Sequence, residues 1–446
     1  GDSAWRQAMI QRIKRCGTKA LHCCTKRYLC VPLPSAVRES VALTKLAVSL
    51  DKPALNEDSM QQLIDGGMSL ASFNASRFNG EQLESALSIL KSLESSEFHW
   101  MDRRESGWRV ASKGMVGSLV DAREVQPKEG LEVAAKSALK GEATYLVVNA
   151  HDFSDASIAL ATAKQEREGD DDIEVPLILA GFSEASKIPT DSEMATLRNC
   201  AGVIVNVDTP AWVATQAVEQ SLPVVRELSI GSESGTLNVQ DIKNVKDQIS
   251  RTDRCDALLL SPEIDSNPGV WLSEVAESTL FADSEAPLLW PRAPSKNVWT
   301  NPGEQDARSP MPEVEVIARA TVAVAGESAA VMILVLTRSG NIVHFISKYR
   351  PGVPIMVFTD SNIVAERLAI RRGVIPVVID QKDVETISDY DRPAVALQLA
   401  KDLDWLQGGD KAVIVTAGED LDPALTENSV SMRVVTMSDF DGPLFI

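Results

Sequence analysis

The sequence contains no long hydrophobic run, and its basic residues are outnumbered by its acidic ones. The longest apolar segments, such as Val331 to Leu336, are far shorter than the roughly 18 residues of a membrane-spanning helix. We therefore predict no membrane span. The chain of 446 residues has 44 lysines and arginines against 63 aspartates and glutamates, so its net charge is −19. This balance disfavours nucleic acid as a partner for the body of the protein.

Cysteine and histidine are also scarce, and their spacing is not that of a metal site or a catalytic triad. The six cysteines form no CxxC pair, which argues against zinc. Cys200 and Cys255 lie in apolar contexts that indicate core positions, and unpaired thiols favour a reducing compartment. The histidines, which have no partner residues at ligand or triad spacing, are His22, His99, His151 and His344. On this basis we predict no metal site.

The first 38 residues differ from the rest of the chain in charge. They hold eight basic residues and one acidic residue. Trp5, Met9 and Ile13 recur every four residues and would form one apolar stripe on a short helix. Because Trp, Tyr and Arg are enriched at interface hot spots, we predict that this arm, residues 1–38, binds a protein partner that is acidic or has an apolar groove. The alternative is that it packs on the protein's own body. Nucleic acid binding is expected only through this arm, if at all.

The start of the chain also bears on its location. It begins at Gly1 rather than at a methionine, which indicates that a leader has been removed. A basic start that is poor in acidic residues is typical of the region next to organelle transit peptides. We therefore expect an organellar location, in a plastid or a mitochondrion, with the cytoplasm as the alternative.

From residue 43 onward, short apolar runs alternate with helical patterns, as expected for β-α units. The predicted strands are Leu43–Leu50, Met68–Asn74, Phe98–Asp102, Thr144–Asn149, Val175–Ala180, Gly202–Asn206, Leu222–Arg226 and Asp256–Leu260. The predicted helices are Asp58–Asp65, Gln82–Leu93, Gly130–Leu139, Ser154–Gln165, Gln240–Ser250 and Trp271–Ala282. Eight alternations fit an α/β fold of the (β/α)8 barrel type, over residues 39–290. Periodicity leaves an open doubly wound sheet as the alternative.

A second α/β domain is predicted over residues 305–446. It follows a connection at Ala286–Pro312 that is rich in Pro, Trp, Ser and Asn. The stretch from Val331 to Thr359 predicts a strand, a turn, a helix and a second strand, because apolar runs flank a segment with Ile342, Phe345 and Ile346 on one helical face. The domain's predicted elements are Val314–Ala329, Val331–Leu336, Pro354–Thr359, Val374–Ile379, Pro393–Leu406, Ala412–Thr416 and Met432–Thr436.

The strand-TRSG-helix-SKYRP-strand pattern in this stretch resembles the C-terminal domain of pyruvate kinase. The resemblance continues upstream through VEVIARATVAVAGESA (Val314 to Ala329) and downstream through RRGVIP (Arg371 to Pro376). It is fainter in the first domain, where TKLAVS, LIDGGMSLA and DALLLSPE are similar to barrel segments of the family. It implies a TIM-like barrel followed by a C-terminal α/β domain of pyruvate kinase type. Family members also insert a lid domain after the third barrel strand, and the stretch Trp108–Glu129 is too short for one.

Pyruvate kinases transfer a phosphoryl group between phosphoenolpyruvate and ADP with Mg²⁺ and K⁺, and the resemblance implies where the residues for this reaction would lie. On the second strand the Arg-x-Asn-x-Ser pattern of the family becomes Ser72, Asn74 and Ser76, so the arginine is missing. Asp102 and Arg109 are matched by their spacing to an Asp and an Arg of the third strand. The second strand thus retains the Asn and the Ser of the family pattern but not its Arg.

The later strands depart further from the family. Its catalytic Lys and first metal-binding Glu are matched to Ala180 and Phe182, and its second metal-binding Asp to Thr209. A family Thr becomes Leu228. Because Mg²⁺ is bound through carboxylates, these side chains cannot hold it, and we predict no cofactor. We expect a catalytically inactive protein that serves as a structural or regulatory subunit of a larger assembly. The alternative is a divergent, active pyruvate kinase that uses Mg²⁺ and K⁺.

The turn Thr337-Arg338-Ser339-Gly340 is the candidate effector-phosphate site. The resemblance implies this role, because the matching turn of allosteric members opens a helix and cradles a phosphate. The opposing loop, Glu419–Asp422, holds three carboxylates that would repel a phosphate. A third interpretation of the protein is a small-molecule sensor that uses the turn, for which the opposing loop should carry basic residues.

Overall fold

In the computed structural model, the described part of the chain forms a closed β/α barrel and an α/β sheet domain. It describes residues 43–50, 57–65, 67–96, 99–102, 109–112, 116–125, 128–166, 174–183, 185–230, 255–262, 272, 275, 313–379, 392–402, 405–417 and 430–437. Within these ranges, no helix combines the length and apolar character that crossing a bilayer requires. The arm, the connection Ala286–Pro312, the loop Glu419–Asp422 and the predicted helix Gln240–Ser250 lie outside the described residues.

The first domain alternates strands and helices. In chain order its elements are β1 (Lys45–Leu50), α1 (Glu57–Asp65), β2 (Leu70–Asn74), α2 (Gly80–Ser96), β3 (His99–Asp102), β4 (Arg109–Ser112), β5 (Gly117–Asp121), α3 (Lys128–Lys140), β6 (Tyr145–Asn149), α4 (Phe153–Glu166), β7 (Leu177–Gly181), α5 (Asp191–Asn199), β8 (Gly202–Val205), α6 (Ala211–Glu219), β9 (Val224–Ile230) and β10 (Ala257–Pro262). Eight parallel strands close the barrel in the order β1-β2-β5-β6-β7-β8-β9-β10. The barrel prediction is confirmed, and the doubly wound alternative is wrong.

The prediction of the third barrel strand is also wrong. β3, predicted for that place, pairs antiparallel with β4 in a two-stranded sheet outside the barrel. The third barrel strand is β5, which pairs with β2 and β6. Its first residue, Gly117, lowers the strand propensity of the segment. The glycine is needed because a Cβ there would lie 2.6 Å from Cδ2 of Leu70.

The second domain is a five-stranded sheet with helices, as predicted. Its elements are α7 (Glu313–Glu327), β11 (Met332–Leu336), α8 (Asn341–Lys348), β12 (Ile355–Thr359), α9 (Asn362–Leu368), β13 (Val374–Val378), α10 (Arg392–Asp402), β14 (Lys411–Ala417) and β15 (Val430–Thr436). The strand order is β13-β12-β11-β14-β15, and β15 is antiparallel to its neighbour. β11 and β12 are buried along their whole length, which explains why both read as continuous apolar runs.

The second domain closes the floor of the barrel. The buried cluster inside the barrel includes Leu70, Val147 and Leu259 from its strands, and also Ala369 and Ile370 from the segment after α9. Polar contacts also join the two domains near Ala369 and Ile370. Glu366 of α9 accepts hydrogen bonds from Nζ of Lys91 at 2.8 Å and from Oγ1 of Thr144 at 3.1 Å. The two domains therefore share one core at the amino-terminal ends of the barrel strands.

Candidate functional site at the barrel mouth

An arginine occupies the mouth of the barrel, at the carboxyl ends of its strands. Arg123 follows β5, and its Nη2 donates a hydrogen bond to Oδ2 of Asp121 at 2.6 Å. Its Nη1 and Nη2 also donate to the two carboxylate oxygens of Glu227 on β9, at 3.0 and 3.2 Å. Asp121 and Glu227 come from different strands, so the guanidinium group bridges carboxylates from two positions on the barrel rim.

The surrounding residues hold Arg123 in place. A Cβ at Gly181, the last residue of β7, would lie 2.8 Å from Cδ of Arg123, so the glycine leaves room for the arginine side chain. Nδ2 of Asn149 donates to the Arg123 carbonyl oxygen at 2.9 Å. Burial acts to lower the pKa of Arg123, but the hydrogen bonds and charges of Asp121 and Glu227 outweigh it and raise that pKa. The arginine is therefore a permanent cation in this position.

Two of the predicted site residues lie beside this network and bind a third carboxylate. Nδ2 of Asn74 donates to Oε2 of Glu124 at 3.1 Å, and Oγ of Ser76 lies 3.1 Å from the same oxygen. The hydrogen bond from Asn74 is the largest cause of a lowered pKa of Glu124, against the opposing effect of desolvation. Ser72, one pleat further in, is buried, and its hydroxyl has no hydrogen-bond partner among the described residues.

Ala180 and Phe182 face away from the mouth. Both are buried in a cluster with residues of α5, β8 and α6, such as Leu197 and Val213, and the ring of Phe182 packs edge-on against Trp212 with centroids 6.3 Å apart. Leu228 belongs to the cluster between the strands and the outer helices. Because side chains alternate along a strand, the neighbour that faces the mouth on β7 is Gly181. These positions thus serve packing.

Thr209 and its neighbours form a self-contained turn after β8. Oδ1 of Asn206 accepts hydrogen bonds from the backbone N–H groups of Asp208 and Thr209, at 3.0 and 2.9 Å. Oγ1 of Thr209 accepts a hydrogen bond from the Asn206 N–H at 3.0 Å. The side chain of Asp208 is exposed. The turn is stabilised by its own polar groups, and this accounts for an Asn and a Thr at these positions.

Asp102 and Arg109 do not lie on a barrel strand. They are register partners at the end of β3 and the start of β4, next to the connection between the two strands. Their assignment to the third barrel strand is therefore wrong, because β5 is that strand. The mouth is occupied instead by Asp121, the last residue of β5, and by Arg123 just after it. Neither was predicted, because β5 itself was not predicted. The signal that could have found them is the pair of opposite charges two residues apart directly after Leu119-Val120.

The turn before α8 has the geometry of a helix start. The N–H of Gly340 donates to Oγ1 of Thr337 at 3.0 Å, and Gly340 adopts a positive φ of 73°. Nε of Arg338 lies 3.3 Å from Oδ2 of Asp360. An acidic partner thus already accompanies the arginine of the candidate effector-phosphate turn. The opposing loop lies outside the described residues, so this site stays a prediction.

Other titratable groups of the described chain show no catalytic arrangement. Cys200 and Cys255 are buried, as predicted, and burial raises the pKa of each thiol to about 11. His151 is exposed and lies 3.3 Å from Asp152. In the part of the chain that the structure describes, no group of three or more His, Cys, Asp or Glu side chains is placed to hold a metal ion.

Comparisons with known proteins agree with this architecture. Residues 315–433 match the family model described as "Pyruvate kinase, alpha/beta domain". Pyruvate kinase from Debaryomyces hansenii is 35% identical over 111 residues, which is 24% of this chain and 22% of that protein. Pyruvate kinase from Kluyveromyces lactis is 28% identical over 193 residues, 42% of this chain and 35% of that protein. The matched segments thus span about a fifth to a third of these relatives.

A solved structure extends the likeness of fold to both domains. The structure titled "Cryptosporidium parvum pyruvate kinase in complex with ADP" aligns with a TM-score of 0.69 and 17% identity, and covers 93% of this chain and 99% of that one. An eight-stranded barrel whose floor is closed by a five-stranded α/β domain is the pyruvate kinase fold. The second domain thus matches the alpha/beta domain of pyruvate kinase in sequence, and the likeness of the barrel to pyruvate kinase is one of fold.

Proposed function

We propose that this protein is a catalytically inactive member of the pyruvate kinase family that acts as a structural or regulatory subunit of a larger assembly. The observation that carries the proposal is the ion-paired Arg123 in the mouth of the barrel. Phosphoryl transfer needs an open site in which a metal and cationic side chains meet the substrate. Here the guanidinium group is engaged by Asp121 on one side and Glu227 on the other.

The residues around this arginine support the same conclusion. Mg²⁺ in phosphoryl-transfer sites is held through one or two carboxylates and the substrate phosphates. Asp121 and Glu227 are both paired with Arg123, and the third carboxylate at the mouth, that of Glu124, is hydrogen-bonded by Asn74 and Ser76. The two positions matched to the catalytic Lys and the metal-binding Glu are Ala180 and Phe182, packed toward the outer helices. Loss of one acid or base group lowers the rate by about 10² to 10⁴. Loss of the metal also removes the ion that positions the substrate for such groups. We expect no bound cofactor.

A coupled assay tests the inactivity. The full chain is incubated with phosphoenolpyruvate, ADP, Mg²⁺ and K⁺, and pyruvate is measured through lactate dehydrogenase, with an active pyruvate kinase as the positive control. We expect no turnover above background. The double variant Ser72→Arg with Ala180→Lys should stay inactive, because it supplies cations without the metal-binding carboxylates.

Turnover by the unmodified chain would overturn the proposal and favour the alternative, a divergent active enzyme. Dependence of that turnover on Mg²⁺ and K⁺ would then identify its cofactors. Activity that appears only in the double variant would show instead that the mouth of the barrel still accepts substrates.

The role as a subunit is supported by the composition of the arm. It combines seven net positive charges with Trp5, Tyr28 and several aliphatic residues, whereas the remainder of the chain is strongly acidic. Such a segment is expected to bind a protein partner that is acidic or has an apolar groove. Its basic character is also typical of the start of an organellar protein. Affinity purification of the full chain, followed by identification of co-purifying proteins, tests the assembly. Recovery of the chain alone under mild salt conditions would argue against it.

A further inference from the structure

A cavity of about 370 Å³ lies where the second domain meets the floor of the barrel. The barrel contributes the starts of its strands, including Tyr145, Leu177 and Ala201, and the second domain contributes α8, α9 and the segment after α9. This volume falls within the roughly 300–1,000 Å³ of ligand pockets in proteins. The cavity is at the opposite end of the barrel from Arg123, so it is a separate site from the mouth.

A buried arginine with an unsatisfied donor lines this cavity. Arg371 is only 6% exposed. Its Nη1 donates to the carbonyl oxygen of Ser221 at 2.6 Å, but its Nε has no hydrogen-bond partner among the described residues. Leaving a buried charged donor unpaired is energetically unfavourable. The lining of the cavity thus includes a guanidinium group with a donor that no described residue satisfies.

His344 on α8 is a second unsatisfied group in the same lining. Its Nδ1 is inaccessible to solvent and has no hydrogen-bond partner in the described part of the chain. Burial, together with the positive charge of Arg371, holds the pKa of His344 well below its usual value. The imidazole is therefore neutral at pH 7 and can offer one N–H donor to a ligand.

The lining favours an anion over a cation. It includes two arginines, Arg367 and Arg371, and no aspartate or glutamate from the described residues. Arg367 is engaged by Glu174 at 2.6 Å, so Arg371 is the cation with remaining donor capacity. Burial lowers the pKa of Arg371, and the charge of Asp256 opposes this effect. Asp256 accepts a hydrogen bond from the Val224 N–H and is not part of the lining.

Apolar side chains form much of the remaining wall. They are Leu177, Leu222, Phe345, Val364 and Leu368. We propose that the cavity binds a small organic anion, whose carboxylate or phosphate head pairs with Arg371 and His344 and whose apolar body lies against Leu222 and Phe345. The cavity reaches the turn before α8 through Ser339, whereas Thr337, Arg338 and Gly340 do not line it.

Binding of small aromatic anions to the full chain tests this assignment. Benzoate and phenyl phosphate carry the two candidate head groups on one apolar body, benzamide is the neutral control, and inorganic phosphate is the control without an apolar body. Saturation-transfer NMR titrations measure each affinity. We expect benzoate or phenyl phosphate, or both, to bind at least about tenfold more tightly than benzamide and inorganic phosphate, because a charge-assisted hydrogen bond discriminates by this amount.

Three variants locate the site. Arg371→Gln should weaken binding of the anion by about ten- to a hundredfold. Ala201→Leu fills the cavity without a change of charge and should also weaken it, which keeps the test decisive if Arg371→Gln does not fold. Arg198→Gln, on the exposed face of α5 and outside the cavity, is the matched control and should leave binding unchanged.

Two results would overturn the proposal. One is that neither anion binds the wild-type chain more tightly than benzamide. The other is binding that survives both Arg371→Gln and Ala201→Leu, or that is lost in Arg198→Gln, since the anion would then bind elsewhere. A preference between benzoate and phenyl phosphate decides whether the natural ligand carries a carboxylate or a phosphate head.

Discussion

At the level of single side chains, the barrel mouth depends on one arginine. Arg123 joins Asp121 and Glu227, whose side chains are 12% and 28% exposed, so all three charges are partly desolvated. Removal of one member of such a group leaves the others without compensation. The arginine thus contributes to folding at the place where the fold usually carries its chemistry.

Replacement of Arg123 by alanine should therefore lower the free energy of unfolding by about 3 kcal/mol, because two carboxylates would face each other without a cation. Urea denaturation followed by circular dichroism measures this change. The matched control is Lys136→Ala, which removes a cation from an exposed pair with Glu166 and should change the stability much less, because solvent screens such a pair. Equal costs for the two variants would contradict a stabilising role of Arg123.

At the level of strands and helices, periodicity predicts most of this fold. Buried parallel strands such as β6 and β11 read as apolar runs, and their predicted positions are confirmed. The prediction of β3 as a barrel strand is wrong, because a short strand outside the barrel has the same local pattern as a barrel strand. Helix α5 was missed, although Thr190 and Glu193 form a capping box that the sequence contains.

The candidate site was less predictable than the fold. The resemblance pointed to Ala180 and Phe182, whereas the residues in the mouth are Arg123 and its two carboxylates. The contact between Arg123 and Glu227 joins residues 104 positions apart, and such a pairing follows from barrel closure rather than from any local pattern. The interdomain cavity was unpredictable for the same reason, since it forms only when the two domains meet.

Gly117, which lowers the strand propensity of β5, allows a test of the packing at the barrel floor. A Cβ at Gly117 would lie 2.6 Å from Cδ2 of Leu70 and 3.2 Å from the carbonyl oxygen of Glu366. Gly117→Ala should therefore destabilise the protein by roughly 1–3 kcal/mol through overpacking at the barrel floor. In Gly80→Ala, the nearest atom is the hydroxyl oxygen of Ser137 at 3.0 Å, and the residue begins a helix, so a change of less than about 1 kcal/mol is expected. Thermal denaturation of both variants makes the comparison, and a neutral Gly117→Ala would disprove the close approach.

For the whole molecule, the prediction to test is the role of the arm, which lies outside the described residues. Deletion of residues 2–30 should abolish co-purification of the partner and leave the melting temperature unchanged, because the arm carries interface residue types on a separate basic segment. A drop of several degrees in the isolated truncated chain would support packing on the protein's own body instead. If the truncated chain keeps both its partner and its melting temperature, the arm has neither role.

The closed floor of the barrel has a consequence for protein synthesis. Ala369 and Ile370 complete the buried cluster inside the barrel, yet they are translated after all of its strands. While the ribosome makes residues 263–368, the barrel strands are already available, but the lower end of their apolar interior remains open to water. Such transiently exposed apolar surface makes a partly synthesised chain prone to aggregation. A nascent chain that stops short of Ile370 would therefore need a chaperone, although every strand of its barrel has been made.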